Sequence, residues 1–320
     1  MDGGDLFFSK PRLGEKALAG AKIRARTLVE GYNRINTDAI TIGENDLTAG
    51  LPFLKALADS ARFPFLSATL ADPAGDLIFA PFAVVKKGSF KVGLVGASYE
   101  IAAGDGYRSK ELLPSLKAAV EEVHSRAEMV VVLFHGTDRD KQAILASGLP
   151  IDLILQSHVK RYNPDFGPGP ILSSALGSLG KHLNVITMTV RSPGQSLVDL
   201  TVHRRTLTFV EKSLKRLRRN QPKDTHLEEL YADKPSILKR IKDLQERESR
   251  TRETIAGAVN TIESERVALG SSVRDDQDLL SLVNAAKQAI KEIASPAAVQ
   301  ASESTSSVSI QGSQENQDGS

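Results

Sequence analysis

The sequence contains no cysteine. That excludes disulfides, iron–sulfur clusters, thiolate zinc sites and a cysteine nucleophile. It also lacks a dominant charge: 41 Lys and Arg stand against 39 Asp and Glu, a formal net charge of +2. Composition therefore supplies no general pull toward nucleic acid or membrane. Nowhere does an apolar run approach the roughly 18 residues that would span a bilayer. The opening MDGGDLFFSK has no basic region followed by an apolar one, so it does not read as a secretory signal. Familiar catalytic signatures are missing too. There is no G-x-S-x-G elbow, Gly93-x-x-Gly96 is not a dinucleotide fingerprint, and Gly177-x-x-Gly180-Lys181 lacks Walker spacing. What remains is a 320-residue chain, 41% hydrophobic and 25% charged, long enough for one large domain or a domain with an appendage.

The first 190 residues alternate helix-like and strand-like segments, the pattern of an α/β domain. Helices are expected at Lys16–Arg34, Leu51–Ala61 and Lys110–Ala127, and strands at Ala39–Ile42, Pro64–Leu70, Met129–Phe134 and Ile151–Leu155. Ile78–Lys86 and Phe90–Gly96 read as a hairpin, as do Leu183–Arg191 and Ser196–His203 around Pro193-Gly194. Asp2-Gly3-Gly4-Asp5 is a turn with no apolar strand before it, so a first strand is expected upstream of Met1. Beyond residue 210 the character changes. Residues 211–226 carry a basic run, from Lys212 to Lys223, that reads as a linker with a solvated basic face; with no aromatic in it, nucleic-acid binding is not expected. Residues 227–295 show apolar steps of three and four: Ile237, Ile241 and Leu244; Ile255, Val259 and Ile262; then Leu279, Val283, Ala286, Ile290 and Ile293. A helical hairpin or short coiled coil fits this spacing, with self-association or a protein partner as its use. From residue 296 onward the chain is Ser/Gln/Glu-rich and is expected to be disordered.

Four segments place metal-capable side chains at strand ends: Gly4-Asp5, Gly43-Glu44-Asn45-Asp46, Phe134-His135-Gly136 and Gln156-Ser157-His158. Ligands gather at the carboxyl ends of strands in open α/β sheets. Carboxylate, amide and imidazole together suit first-row divalent metals.

These segments, in this order, resemble the calcineurin-like metallophosphoesterase family in its 5'-nucleotidase branch. GDLFFS is similar to its Gly-Asp motif, GENDLTAGLPFLKALADSARFPFLSATL to its Gly-Asn-His-Glu segment with following helix and strand, AEMVVVLFHG to its strand ending in a ligand histidine, IDLILQSHVK to its Gly-Gly-His-x-His motif, and ALGSLGKHLNVITMTV to its Gly-x-x-Gly-Lys turn. The resemblance covers roughly residues 3–203. It implies a layered α/β sandwich over residues 1–210. It further implies two divalent ions (Mn, Fe, Zn or Mg), a phosphate-ester small molecule as substrate, and a metal-bound hydroxide as nucleophile. Nucleotide catabolism and a periplasmic or cell-envelope location follow if a signal precedes this chain. Carried over residue by residue, Asp5, Glu44, His135 and His158 are the metal ligands, Asn45 and Asp46 the catalytic pair, and Lys160 a contact to the phosphate. Three positions depart from the family pattern: Glu44 replaces a ligand asparagine, Asn45 a catalytic histidine, and Lys160 the last histidine. The alternative function is a catalytically degenerate binding or scaffold module acting through its helical tail.

Overall fold

A computed structural model describes residues 1–159, 166–167, 169–175, 177, 180–219, 221 and 226–294. The expected disordered tail, Lys160 and Lys223 lie outside these residues. The chain divides into two compact units. The first holds Met1–Pro150, Leu155–Val159 and the chain from Gly270, and the second Ile151–Ile154 and residues 160–269.

The first unit opens with a segment that pairs Asp2 in parallel with Ile40. Then come α1 (Glu15–Arg34), β1 (Ile40–Thr41), a short 3-10 turn at Glu44–Leu47, α2 (Leu51–Ser60), β2 (Phe65–Leu66), β3 (Leu70–Ala71), β4 (Phe82–Lys87), β5 (Phe90–Ser98), β6 (Arg108–Ser109), α3 (Leu112–His124), β7 (Met129–His135), α4 (Asp138–Leu145) and β8 (Leu153–Ser157). α1 buries Ala21, Ala25 and Val29, one face at steps of four, and carries Glu15 in its first turn and Arg34 in its last, which suits the helix dipole. Every residue of β7 is buried, as its unbroken apolar run requires for a strand covered on both faces. β4 and β5 form the expected antiparallel hairpin, turning at Gly88 with φ +66°. β5 then runs parallel to β7, with Ser98 level with His135. The strand order is β4-β5-β7-β8, and of β8 the first unit holds the part from Leu155 onward. β1 and β2 make a second, parallel pair, Ile40 against Phe65. Their core is aromatic, with Phe7, Phe65 and Phe63 stacked at 5.6 and 5.8 Å. A Cβ on Gly96 of β5 would collide with the carbonyl of Leu66, so glycine lets the two layers approach.

The second unit contains β9 (Leu172–Ala175), β10 (His182–Thr189), β11 (Leu197–Asp199), α5 (Leu200–Arg218), α6 (Leu227–Leu230), α7 (Pro235–Gly257) and β12 (Asn260–Ala268). Two expectations are corrected here. β10 and β11 do not pair with each other: β12 lies between them, antiparallel to β10 and parallel to β11. Helical structure therefore does not continue through Val259 and Ile262. Asn260, Ile262 and Ser264 are buried in alternation, a period of two inside what also reads as steps of three and four. Asn260 supplies the physical reason. Its side chain accepts from the amides of Arg191 and Ser192 and donates to the carbonyls of Ser192 and Gln195, which ties the Pro193-Gly194 turn to the start of β12. The strand read at Ser196–His203 is only three residues long. Asp199 accepts from the amides of Thr201 and Val202 and so starts α5, which replaces the expected basic linker up to Arg218.

The last helix, α8 (Gln277–Ala294), belongs to the first unit. It runs antiparallel along α1. Ile290 lies 3.3 Å from where a Gly20 Cβ would be, and Leu279 lies 3.9 Å from the same point at Gly31. Residues 227–294 are thus neither a hairpin of helices nor a coiled coil: a strand interrupts them, and their last helix packs on the first.

Removing the Asn260 side chain leaves two amides and two carbonyls of the turn without their partner. Asn260→Ala should lower stability by about 1–2 kcal/mol, because a hydrogen bond contributes about 0.5–1.5 kcal/mol net and the exposed turn groups on Arg191 and Gln195 can bond to water instead. Urea denaturation read against the parent chain checks this; an unchanged midpoint would show that the turn does not depend on Asn260.

Candidate metal centre

The strand ends bring Asp5, Asn45, His135 and His158 together within the first unit, with Glu44 beside them. The donor atoms of Asp5, His135 and His158 all lie within 4.8 Å of one another. The rings of His135 and His158 meet edge to face, with centroids 4.8 Å apart. Asp5 and His158 both adopt left-handed backbone conformations, φ +57° and +62°. Such conformations are uncommon outside glycine and concentrate at functional sites. Gly43 leaves the necessary space: a Cβ there would collide with Asp5 Oδ1 and fall 2.8 Å from His135 Cε1.

His135 ends β7 with no exposed surface. Its Nδ1 lies 2.9 Å from Ser157 Oγ, while the Ser157 hydroxyl donates to the carbonyl of Gly3 in a short bond. With the serine hydrogen already committed, Nδ1–H must be the donor. That fixes the tautomer and leaves a bare lone pair on Nε2. Among the described residues this Nε2 is buried without a hydrogen-bond partner, and it faces Asp5 Oδ2 at 3.7 Å. Burial pushes His135 below the ordinary histidine range, against the pull of the Asp5 carboxylate, so the ring is neutral. Asn45 holds Asp5 from the other side: its amide N donates to Oδ1 at 2.8 Å and its Nδ2 to Oδ2 at 2.7 Å. Asn45 Oδ1 is then buried and also without a hydrogen-bond partner. Two orphaned lone-pair atoms beside a carboxylate are costly unless a cation joins them. A divalent metal fits, and the imidazole's Nδ1–H hydrogen bond is the outer-shell arrangement that metal-binding histidines use.

Glu44 is half-buried, and its Oε2 accepts from the Tyr99 hydroxyl at 2.5 Å. Asp46 sits apart from the donor group, fully buried. Its Oδ2 accepts from the amides of Asp5 and Gly43, both at 2.9 Å, and its Oδ1 from the amide of Phe7 at 3.0 Å. It builds the loops that carry the site, and its carboxylate is occupied by backbone rather than offered to a reactant. Ser157 and Tyr99 escaped the sequence reading. Both have the signal that found the histidines, a polar group at the carboxyl end of a parallel strand.

Burial raises Asp46 to about 7, and the amides of Phe7 and Gly43 oppose it without winning. A raised carboxyl favours the folded state in its protonated form. Its contribution to stability is fully present below the ordinary carboxylate range near pH 4 and is lost as pH rises through about 7. Urea midpoints of the metal-free protein should therefore fall between pH 5 and pH 8, and Asp46→Asn should flatten that fall. A slope unaltered in the variant would assign the pH dependence to other groups.

No protein-family profile matches the chain. In sequence it is similar to the uncharacterised metallophosphoesterase YunD of Bacillus subtilis, 29% identical over 182 residues. The match covers 54% of this chain and 39% of YunD, so the chain spans well under half of that relative. Among solved structures, the sulfate thiohydrolase SoxB of Thermus thermophilus aligns with a TM-score of 0.51 and 25% identity, over 59% of this chain and 35% of SoxB. The calcineurin-like phosphoesterase YfkN of Bacillus subtilis aligns over 92% of this chain and 84% of its own, with a TM-score of 0.61 and 15% identity, a likeness of fold alone. The chain is thus similar in sequence to a metallophosphoesterase and in fold to a calcineurin-like phosphoesterase.

Proposed function

We propose that this chain is a metal-dependent phosphoesterase, related to 5'-nucleotidases, that hydrolyses a phosphate ester, with nucleotides among its candidate substrates. One observation carries the reading: among the described residues His135 Nε2 and Asn45 Oδ1 are buried, without hydrogen-bond partners, beside Asp5. Asp5, Asn45, His135 and His158 would hold the ions. Divalent ions bound there would supply Lewis acidity toward a phosphate oxygen and a lowered pKa for water. The chain's own residues do the positioning. Ser157 locks the His135 ring, Asn45 clamps both oxygens of Asp5, and Gly43 keeps the cradle open. Lys160, outside the described residues, remains the proposed contact to the phosphate. A cell-envelope location remains part of the proposal. No helix among the described residues is long and apolar enough to cross a membrane.

Asn45 sets the expected character of the activity. An amide cannot deliver a proton to a leaving alkoxide, a service worth typically about 10²–10⁴ in rate. With Lys160, it favours the alternative of a degenerate binding module. A p-nitrophenyl ester needs no such proton, because its leaving group departs as a stabilised phenolate. The full-length protein supplemented with Mn²⁺ should hydrolyse p-nitrophenyl phosphate far better than an alkyl phosphate. Asn45→His should narrow that gap, and His135→Ala or EDTA should remove turnover of both. Metal analysis showing no bound ion, together with no turnover of either ester, would leave the binding module standing.

A further inference from the structure

The family resemblance gives Glu44 a ligand's place, but it offers no role for the tyrosine bonded to it. Tyr99 directly follows β5 and takes part in none of the motifs. Its amide donates to the carbonyl of His135 at 2.8 Å, which fixes its backbone to that of a candidate ligand. Its ring lies 5.8 Å from the His135 ring and 5.2 Å from the His158 ring, centroid to centroid. From there its hydroxyl donates to Glu44 Oε2 at 2.5 Å, the length of a charge-assisted bond. Among the described residues no other group bonds to that carboxylate, so its remaining acceptor sites are uncommitted. Glu44 is joined in sequence to Asn45, the residue that clamps Asp5. It is not one of the three residues whose donor atoms lie within 4.8 Å of one another. A carboxylate just outside that group suits a neighbouring ion rather than the same one, since paired metals stand about 3.5–4 Å apart.

We propose that Tyr99 is a positioning residue of the metal centre, which holds the Glu44 carboxylate as a ligand for a second ion beside the Asp5–His135–His158 group. This rests on the metal-centre reading above. The tyrosine compensates for the change at position 44. An asparagine side chain in this place would be short and neutral. A glutamate is longer, carries charge and has one more rotatable bond, and the hydroxyl removes that extra freedom. Glu44 acts on the ion, and Tyr99 acts only through Glu44.

Mn²⁺ titration of the full chain, followed by electron paramagnetic resonance and calorimetry, tests this without any assay of turnover. The parent protein should take up two ions. Glu44→Gln and Tyr99→Phe should each weaken one of them by about 10–100-fold and leave the other unchanged. Glu44→Asp keeps the charge but loses reach to the hydroxyl, and it should bind like Tyr99→Phe. The double variant Glu44→Gln/Tyr99→Phe should be no weaker than Glu44→Gln alone, because the tyrosine has nothing left to position. Two ions held by Tyr99→Phe as tightly as by the parent, or losses that add in the double variant, would overturn the role of Tyr99 while leaving the metal centre in place. A parent chain that takes up no Mn²⁺ would overturn both.

Discussion

The loops of the site depend on a single buried carboxylate. Asp46 has no exposed surface and gathers the amides of Asp5, Phe7 and Gly43, from two stretches of chain about 40 residues apart in sequence. Backbone amides turned inward must find an acceptor, since a buried donor left alone costs about 1–3 kcal/mol. Asp46 satisfies three at once. In doing so it sets the Gly4-Asp5 turn against Gly43, closely enough that neither Gly4 nor Gly43 could carry a Cβ without a clash. The left-handed backbone at Asp5 then has a reason to persist: the contacts around it over-determine the geometry. Asn45 extends the same device from the neighbouring position, its main chain and side chain each taking one oxygen of Asp5. A short 3-10 turn thus does two jobs. Its buried Asp46 builds the loops, and its half-buried Glu44 and Asn45 present polar atoms to the site.

That division explains what could and could not be read from the sequence. Strand ends rich in polar residues were visible because the strands before them are so apolar. β7 reads MVVVLF and ends on His135; β8 reads LIL and leads to Ser157 and His158. What could not be read was which polar residue in a motif faces in. Glu44, Asn45 and Asp46 are adjacent carboxylates and an amide, equal as symbols. Only burial separates Asp46, wholly committed to backbone, from its two neighbours. Ser157 and Tyr99 carry the strand-end signal, but their roles are not legible from it. Each acts through contacts to distant residues, Gly3 in one case and Glu44 in the other, that local pattern cannot encode.

In the second unit the ambiguity was one of period. Ile255, Val259 and Ile262 satisfy helical spacing, and helix α7 does run to Gly257. From Asn260 the same residues also satisfy alternation, and the outcome was set by a side chain rather than by propensity. Asn260 bonds to both ends of the 192–195 turn, so the chain leaving α7 is held beside β10 and β11 and completes their ladders. Neither flanking strand could have predicted this, because their own turn signal, Pro193-Gly194, is the one that ordinarily closes a hairpin. α8 is helical, as its apolar steps of three and four require. Its Leu279 and Ile290 lie along α1, at the very glycines, Gly20 and Gly31, that allow a close approach.

The charge of the centre ties these observations to the proposed chemistry. Asp5 and Glu44 bring negative charge, Asn45 replaces what would be a titratable imidazole, and His135 is held neutral by burial. Without cations such a cleft repels a phosphate ester. Two divalent ions would invert its sign, so here they would act in binding substrate before any effect on its reactivity. The carboxylate at position 44 shifts that balance by one unit of charge relative to an asparagine. With ions bound, it would strengthen the hold on them and leave less net positive charge for the phosphate. In the proposed hydrolase the amide at position 45 would act separately, on the leaving group: without an imidazole acid there, esters whose leaving groups need no proton would be favoured.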